Sequence, residues 1–417
     1  MSLVAEIEKN ADKARFHTPG HSGKAETAGV YDVTELSYSD NLLHPQGQIA
    51  ALEKKIASVY KAEACFISTQ GATTSLWEAI FATKDRGEYL LVGKIHSSVY
   101  NALRALNLRA YHADEFNSSD VPEGVKTLVI TSPDYFGNCL PLKDICDAAH
   151  KKGIKVICDA AHGSHFVFSD ELPPSATEYA DLIVHSLHKT LPVTTGGSVL
   201  LVRDKSDVSA CALARKILHG TSPSYITLCS IEKAFSVVET YPQLYKEVLK
   251  SVEDFRRGLK HPFSVAASDD KTRLVLTSPF LGEAVAAALE KAGFIAEMSA
   301  ENKVVFIVTP NNHKELSPLV KAINALDLGS LAGYQADIFY YKEHKRPTLL
   351  TFGGNWEEVP LDKAAGRRLY VEVGLDPPGV PLAYSHDVLT EDAVAVLSSR
   401  PNNRFGMNGE NVYVIKE

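Results

Sequence analysis

The sequence lacks the features of a membrane, secreted or nucleic-acid-binding protein. No apolar run approaches the ~18 uninterrupted residues of a membrane-spanning helix, and the N-terminal MSLVAEIEKNADKARFH is too acidic for a signal peptide. No basic block offsets the net charge of −8, which argues against nucleic-acid and membrane partners. The six cysteines follow no even spacing, and several lie in apolar runs. They are expected to be buried thiols in a reducing compartment, so the cytoplasm is the expected location.

The sequence also contains few Cys, His, Asp and Glu residues at the spacings that are typical of metal ligands. Cys158, Asp159, His162 and His165 lie close together, which leaves zinc open as an alternative. However, residues 158 and 159 point to opposite faces of a predicted strand, and no second cluster of ligands has zinc spacing. No metal is therefore expected.

The order of apolar runs predicts an α/β fold. The chain has 417 residues, of which 45% are apolar, enough for two or three domains with sizeable cores. From about residue 60 to 205, strands and helices alternate, which predicts a mainly parallel sheet with crossover helices. Residues 222–260 have helical periodicity and predict an element that links a large domain, 1–255, to a smaller α/β C-terminal domain, 256–417. The second domain shows no catalytic motif.

Lys189 is the most informative residue of the chain. It lies between the apolar runs DLIV and SVLLV, in a polar turn that also holds Ser186, His188 and Thr190. An ammonium group is costly to bury. The lysine is therefore either extended to water or held in place for Schiff-base chemistry.

Three further stretches supply the other groups that a pyridoxal phosphate enzyme needs. EACFISTQGATTSLWEAIFATK predicts a strand, a turn at Gly71 and a helix from near Thr73. The free N–H groups at that helix start, with the hydroxyls of Thr73 and Thr74, are suited to a phosphate, although a simple N-cap has the same pattern. His96 begins the next helical stretch, where its ring is either structural or stacked on the cofactor.

Asp159 ends the apolar strand KVICD. Ligands of parallel sheets lie at the carboxyl ends of the strands, so Asp159 is expected to face a site and to pair with the pyridine nitrogen. The alternative is a helix or turn cap.

Several motifs together resemble one known family. They are FHTPGHSGK, DVTELSYSDNLLHPQGQI, QGAT, KIHSSV, TSPDYFG, DAAHGSH and SLHKTLP. They are similar to the group I pyridoxal-phosphate decarboxylases of ornithine, lysine and arginine, in the compact form without an N-terminal wing domain. The resemblance implies an aspartate-aminotransferase-like, fold type I enzyme that forms a homodimer or a dimer-based oligomer.

The resemblance also implies a role for each matched residue. Lys189 would bind the cofactor aldehyde, Asp159 the pyridine nitrogen, and His162 would lie near the phenolic oxygen or the substrate. His96 and Ala161 would cover the two faces of the ring. The phosphate would be held by Gly71, Ala72, Thr73, Ser186 and His188.

The chain departs from the family where the substrate is expected. VTTGGS follows HKTLP, and DPPGVPLAYSHD places Asp376 and Asp387 where the family has tyrosine and glutamate. Asp387 keeps a carboxylate that is one methylene shorter. Asp387 and Asp376 are the candidates for binding a distal cation, and Glu35 or Asp40 of a partner subunit could add another carboxylate.

The predicted function is pyridoxal-phosphate-dependent decarboxylation of lysine, ornithine or arginine to the amine and carbon dioxide. Lys189 or a nearby histidine would protonate the α-carbon. Two alternatives stay open. One is an aminotransferase or aldolase-like enzyme in which Arg367 binds an α-carboxylate, and the other is a non-catalytic homologue that binds pyridoxal phosphate.

Overall fold

The protein is described by a computed structural model that covers residues 14–16, 39–333, 345–376 and 379–416. The strands, in chain order, are β1 Ala14–Phe16, β2 Ala64–Ser68, β3 Glu88–Val92, β4 Ala110–Ala113, β5 Val125–Thr131, β6 Lys155–Asp159, β7 Leu182–His185, β8 Ser198–Val202, β9 Ser264–Val265, β10 Arg273–Thr277, β11 Phe294–Ala296, β12 Met298–Ala300, β13 Lys303–Ile307, β14 Thr348–Leu350, β15 Trp356–Pro360, β16 Val373–Leu375, β17 Val380–Ala383, β18 Arg404–Phe405, β19 Met407–Asn408 and β20 Asn411–Ile415.

The helices alternate with these strands in the first half of the chain. They are α1 Gln48–Val59, α2 Gly71–Thr83, α3 Ser97–Ala105, α4 Leu142–Lys151, α5 Leu187–Thr190, α6 Lys205–Leu218, α7 Tyr225–Ser236, α8 Tyr241–Gly258, α9 Gly282–Lys291, α10 Leu316–Asn324 and α11 Glu391–Ser399. None of the helices in the described ranges is long and apolar enough to cross a membrane.

The central sheet has the strand order β14-β4-β3-β5-β6-β7-β8-β2. Strands β3 to β7 are mutually parallel, whereas β8 is antiparallel to both of its neighbours and β14 is antiparallel to β4. Strand β2 therefore runs in the same direction as β3 to β7. The prediction of a mainly parallel sheet is confirmed, and the carboxyl ends of six strands lie along one edge.

Helices cover both faces of this sheet, so its strands are apolar on both sides. Alternate residues belong to two separate cores: Leu90 and Leu128 pack on one face, and Leu91 and Val129 pack on the other. All residues of β7 and β8 are buried. This burial explains why the sequence segments on both sides of Lys189, which form β7 and β8, are almost entirely apolar.

The later part of the chain forms smaller sheets. One four-stranded sheet has the order β12-β13-β10-β9, and two three-stranded sheets have the orders β15-β20-β19 and β17-β16-β18. Strand β14 returns to the large sheet. The domain boundary near residue 256 stays a prediction.

Three local predictions differ in detail from the structure. The element expected over 222–260 is two helices, α7 and α8, separated by a 3-10 turn at Val238–Thr240. Pro242 lies in the first turn of α8, where its missing N–H breaks no hydrogen bond of the helix. A single helix running from α7 through residue 242 would lose a hydrogen bond there. The turn expected around Lys189 is the short helix α5, and α2 begins at Gly71 rather than near Thr73.

Candidate active site

Lys189 lies at the carboxyl edge of the sheet, one short helix beyond β7. Its Nζ atom is 3.0 Å from Nε2 of His162 and 6.0 Å from the ring centre of Tyr135. Burial lowers the pKa of Lys189 below its ordinary value, although the nearby carboxylates of Asp159, Glu297 and Asp376 act in the opposite direction. The amine is therefore more often neutral than that of a surface lysine, as a nucleophile requires.

Asp159 ends β6, the strand next to β7, and is buried with 4% of its surface exposed. Its Oδ1 atom accepts the N–H of Ala161 at 3.1 Å, which turns the chain away from the sheet. The carboxylate also interacts electrostatically with Lys189 and His96. The structure thus brings together three of the residues that the sequence singled out.

His96 follows β3 and caps helix α3. Its Nδ1 atom accepts the N–H of Ser98 at 3.1 Å. Gly379 lies against the other side of the ring: a Cβ atom there would be 2.8 Å from Nε2 of His96, and the φ of +73° also favours glycine. Burial lowers the pKa of His96, so the ring stays neutral. The imidazole is held at a fixed position near Asp159.

The start of helix α2 is open to an anion. The side chain of Gln70, its N-cap residue, does not bond to the helix and instead accepts the N–H of Gly220 at 3.0 Å. Gly71, with a φ of +82°, donates to the carbonyl of Gly196 at 2.7 Å. The following N–H groups belong to Ala72 and Thr73, which are partly buried and exposed, respectively. The N-terminal N–H groups of a helix of this length attract anions.

Ser186 and His188 lie near the start of α2, because Gly197, which contacts His188, is next to Gly196. The N–H of His188 donates to the carbonyl of Gly197 at 3.4 Å, and its Nδ1 atom lies 3.2 Å from Oγ of Ser186. Because Gly196 accepts from Gly71, the beginnings of α2 and α5 lie side by side. The predicted phosphate-binding residues therefore converge. The hydroxyl of Thr74, by contrast, bonds to the carbonyl of Gln70 at 3.4 Å.

Three residues of the site were not predicted from the sequence. Arg273, at the start of β10, has its Nη2 atom 3.0 Å from Nδ1 of His162. Tyr135 packs edge-on against the His162 ring, with the ring centres 4.8 Å apart, and its hydroxyl donates to Glu297. The second α/β unit, which shows no catalytic motif in the sequence, thus contributes directly to the site.

The zinc alternative is not supported by this geometry. The thiol of Cys158 points to the carbonyl of Ser132, at 3.8 Å, and burial raises its pKa well above the ordinary value. Nε2 of His165 lies 3.2 Å from Oδ1 of Asp270. These side chains do not converge, and within the described ranges no three His, Cys, Asp or Glu side chains are placed to hold a metal ion.

The comparison with protein families gives one match, over the middle of the chain. Residues 107–281 match the model of the Orn/Lys/Arg decarboxylase major domain. Over this range the chain is similar to the Orn/Lys/Arg decarboxylases. This similarity, together with that to arginine decarboxylases, indicates a decarboxylase, as the resemblance of its motifs predicted.

Individual relatives cover almost the whole chain at low identity. The Bacillus subtilis protein YaaO, which is described as uncharacterized, is 26% identical over 95% of this chain and 92% of its own length. An arginine decarboxylase of the same bacterium is 25% identical with the same coverage. Lysine decarboxylase A from Pseudomonas aeruginosa has a TM-score of 0.75 at 17% identity, over 99% of this chain and 80% of that chain. This likeness confirms the predicted α/β architecture of fold type I.

The predicted substrate residues lie in different surroundings. Asp376 is exposed, and a Cβ atom on Gly379 would lie 3.6 Å from its Oδ1 atom and 2.8 Å from Nε2 of His96, which places the carboxylate at the edge of the site. It also acts electrostatically on Lys189 and His96. Asp387 is buried, and its Oδ2 atom accepts the N–H of Tyr384 at 3.1 Å within a tight turn. Glu35 lies outside the described residues.

Asp40 has a structural role that the sequence did not reveal. Its two carboxylate oxygens accept the N–H groups of Asn41, Gln46, Gly47 and Ile49 at 2.8–3.0 Å. Four acceptor positions are all that a carboxylate has. The prediction that Asp40 contacts a substrate is therefore not supported.

Arg367 is also engaged elsewhere. Its Nη2 atom donates to Oε1 of Glu357 at 2.7 Å and to the carbonyl of Ile415 at 3.3 Å, beside β15 and β20. The aminotransferase alternative thus loses the residue that was expected to bind an α-carboxylate.

Proposed function

We propose that this chain catalyses pyridoxal-phosphate-dependent decarboxylation of a basic L-amino acid, lysine, ornithine or arginine, to the amine and carbon dioxide. The observation that carries the proposal is the position of Lys189. Its amine lies beside His162 and within the electrostatic reach of Asp159, at the sheet edge where helix α2 begins without a capping side chain. Similarity to the Orn/Lys/Arg decarboxylase major domain supports the reaction class.

The residues present fit pyridoxal phosphate. Asp159 is a buried carboxylate at a strand end, suited to hold a proton on the pyridine nitrogen. The His96 ring is fixed by Ser98 and Gly379 and is suited to cover one face of a flat ring. The uncapped start of α2, together with Ser186 and His188, is suited to the phosphate. Ala161 is the small residue available for the opposite face.

When bound, pyridoxal phosphate supplies an aldehyde that links to amines and a protonated ring that accepts the electron pair left by carbon dioxide. The protein supplies the rest. Lys189 would attach the cofactor, and its amine, once released and protonated, would deliver a proton to the α-carbon of the substrate. Asp159 would keep the ring nitrogen protonated, because a buried carboxylate favours a cation beside it.

Asp376 is our candidate for the distal cation of the substrate. Among the charged groups that influence Lys189 are Asp159, which we assign to the pyridine nitrogen, and Glu297, which accepts a hydrogen bond from Tyr135. The carboxylate of Asp376 has no hydrogen-bond donor among the residues that the structure describes. The carboxylate of Asp387, by contrast, accepts a hydrogen bond from the N–H of Tyr384 within a tight turn.

An assay with three amino acids tests the proposal. The purified protein is incubated with pyridoxal phosphate and with lysine, ornithine or arginine, and carbon dioxide, amine and keto acid are measured. We expect carbon dioxide and the matching amine from one of them. Keto acid would instead indicate an aminotransferase, and no product would indicate a non-catalytic homologue.

Borohydride reduction tests the attachment site separately. Lys189 should carry the reduced cofactor in a peptide map, and Lys189→Ala should lose both the label and the activity. Lys152→Ala is the matched control, since that lysine is exposed and lies outside the site. A label on a different lysine would refute the assignment.

We also propose that the protein forms a homodimer, or a larger assembly of dimers, in which Glu35 of the partner subunit approaches the substrate. The resemblance of DVTELSYSDNLLHPQGQI to the family supports this arrangement. Light scattering should give twice the 45.4 kDa chain mass or a multiple of it. Glu35→Gln should raise the KM without changing that mass, and a monomer with full activity would contradict the proposal.

A further inference from the structure

Arg273 is buried completely, and its position is set by a turn that packs against its stem. The N–H of Arg273 donates to the carbonyl of Asp270 at 3.0 Å, and the N–H of Asp270 donates to the carbonyl of Gly137 at 2.9 Å. A Cβ atom on Gly137 would lie 2.8 Å from Cβ of Arg273, and the φ of Gly137 is +86°. Glycine is therefore required there, and the guanidinium has little freedom to move.

The side chain of Arg273 has one hydrogen-bond partner within the described ranges, and that partner is His162. Nη2 of Arg273 lies 3.0 Å from Nδ1 of His162, whereas Nε and Nη1 of the arginine are buried without a partner among the described residues. On the other side of the ring, Nε2 of His162 lies 3.0 Å from Nζ of Lys189. The imidazole therefore connects a permanent cation to the reactive amine.

The chemistry of these three groups fixes where the proton of the ring lies. An arginine side chain has only donors, and it keeps its proton in proteins. Nδ1 of His162 must then be the acceptor, so the single ring proton of neutral histidine is on Nε2. That N–H points to Lys189, whose amine can accept it only when the amine is neutral, since an ammonium has no acceptor.

We propose that Arg273 is a positioning residue that fixes His162 as the Nε2–H tautomer and so directs a hydrogen-bond donor at the Lys189 amine. The catalytic consequence rests on the proposed function, but the tautomer does not. A second proton on Nδ1 would face the N–H of Arg273, so His162 remains neutral. His162 therefore donates a hydrogen bond to the Lys189 amine and does not itself carry a proton to the substrate.

The charges around the ring agree with this assignment. Burial lowers the pKa of His162 well below its ordinary value, and Lys189, Arg273, His188 and His96 all act in the same direction. The positive charge of Arg273 is balanced by buried Asp270, whose pKa is lowered, despite its burial, by His165, Arg273 and Thr272. The carboxylate keeps the arginine charged without competing for His162.

Nitrogen NMR of the ring tests the proposal without any turnover. The protein is labelled with ¹⁵N-histidine and treated with hydroxylamine to remove bound pyridoxal phosphate, and His162→Phe identifies the signals by their loss. We expect a protonated Nε2 and an unprotonated Nδ1. A proton on Nδ1, or on both nitrogens, would overturn the proposal even if the decarboxylase assay succeeded.

Two substitutions at Arg273 test whether this residue fixes the tautomer of His162. Arg273→Lys keeps a donor and should preserve the tautomer, whereas Arg273→Met keeps a similar length without a donor and should allow the other tautomer or a second proton. Arg215→Met is the control, because Arg215 is also buried but pairs with Glu53. It should leave the His162 signals unchanged. Unchanged His162 signals in Arg273→Met would refute the role of the arginine.

The same variants separate the tautomer from its catalytic consequence. Because the lost hydrogen bond is to a charged group, carbon dioxide release by Arg273→Met should fall about tenfold or more. Arg273→Lys should retain more activity than Arg273→Met. If Arg273→Met changes the tautomer but not the rate, the catalytic consequence is wrong, although the proposed decarboxylation would stand.

Discussion

Replacing Asp376 by asparagine should separate substrate charge recognition from every other role of the site. The carboxylate of Asp376 influences both Lys189 and His96 and has no hydrogen-bond donor among the described residues. Asp376→Asn keeps the shape of the side chain and removes the charge. If the distal cation of the substrate is bound there, one charge-assisted contact is lost.

The expected magnitude follows from that single contact. Hydrogen bonds to charged groups contribute roughly 1.5–3 kcal/mol, and each 1.4 kcal/mol corresponds to about a tenfold change in affinity. The KM for the preferred basic amino acid should therefore rise about tenfold to about a hundredfold. The kcat should change less, because the distal cation is remote from the bond that breaks.

Asp387→Asn is the matched control. The same atoms change, but Asp387 accepts the N–H of Tyr384 inside a buried turn, so this variant should lower the thermal midpoint and leave the KM nearly unchanged. Norleucine, which has no distal cation, should inhibit the parent and Asp376→Asn equally. If the KM rises in Asp387→Asn and not in Asp376→Asn, the assignment is reversed. If neither variant changes the KM, the substrate cation is bound elsewhere.

Three further substitutions test other parts of the structure. Asp159→Ala removes one member of a buried charge pair, a loss of about 3–5 kcal/mol; it should keep part of the cofactor by absorbance and lose most of the kcat, and an unchanged kcat would refute the role of the carboxylate. Asp40→Ala should lower the stability of the α1 region by about 0.5–2 kcal/mol. Because the four N–H groups together lower the pKa of Asp40 below 3.8 despite some burial, the difference in thermal midpoint should be full at pH 7 and should disappear as the pH falls through that lowered pKa. Glu78 is buried without a partner among the described residues, and this burial raises its pKa to about 8. The folded state is therefore disfavoured increasingly from pH 4.5 to pH 8, so Glu78→Gln should raise the thermal midpoint more at pH 9 than at pH 5, and an equal gain at both would contradict the pKa shift.

Lys189, Asp159 and His96 were predictable because the cues for them are local. Each follows an apolar run that is buried on both faces, and the carboxyl ends of strands that run in one direction meet at one edge of a sheet. The alternation of strands with helices already implies that direction. Local sequence patterns are therefore enough to predict that these residues lie together, without knowledge of any long-range contact.

Arg273 could not be predicted in the same way. It is separated from His162 by 111 residues and stands at the start of an apolar strand, where an arginine is usually exposed. Its partner turn at Gly137 was recognised as a motif, but the motif does not say which side chain packs against it. The one sequence signal is a charged residue at the edge of the run RLVLT, and that signal alone has many explanations.

Asp387 shows a different limit. Its match to a family position gave the right residue type at that position, a carboxylate, but the function of a carboxylate depends on which donors surround it. The turn from Tyr384 to Asp387 places a backbone N–H at 3.1 Å, and such a turn depends on backbone conformation rather than on residue identity. The same argument applies to Asp40, whose four donors come from its own loop.

The charge distribution around Lys189 favours a cationic substrate. Three carboxylates, those of Asp159, Glu297 and Asp376, act on this amine, and Arg273 is the cation that opposes them. If His162 holds Lys189 neutral, as its hydrogen bond requires, the carboxylates are in excess. A protonated pyridine nitrogen beside Asp159 offsets one of them, and the distal cation of a basic amino acid offsets another. A substrate with a neutral or acidic side chain would leave the exposed carboxylate of Asp376 without a cationic partner.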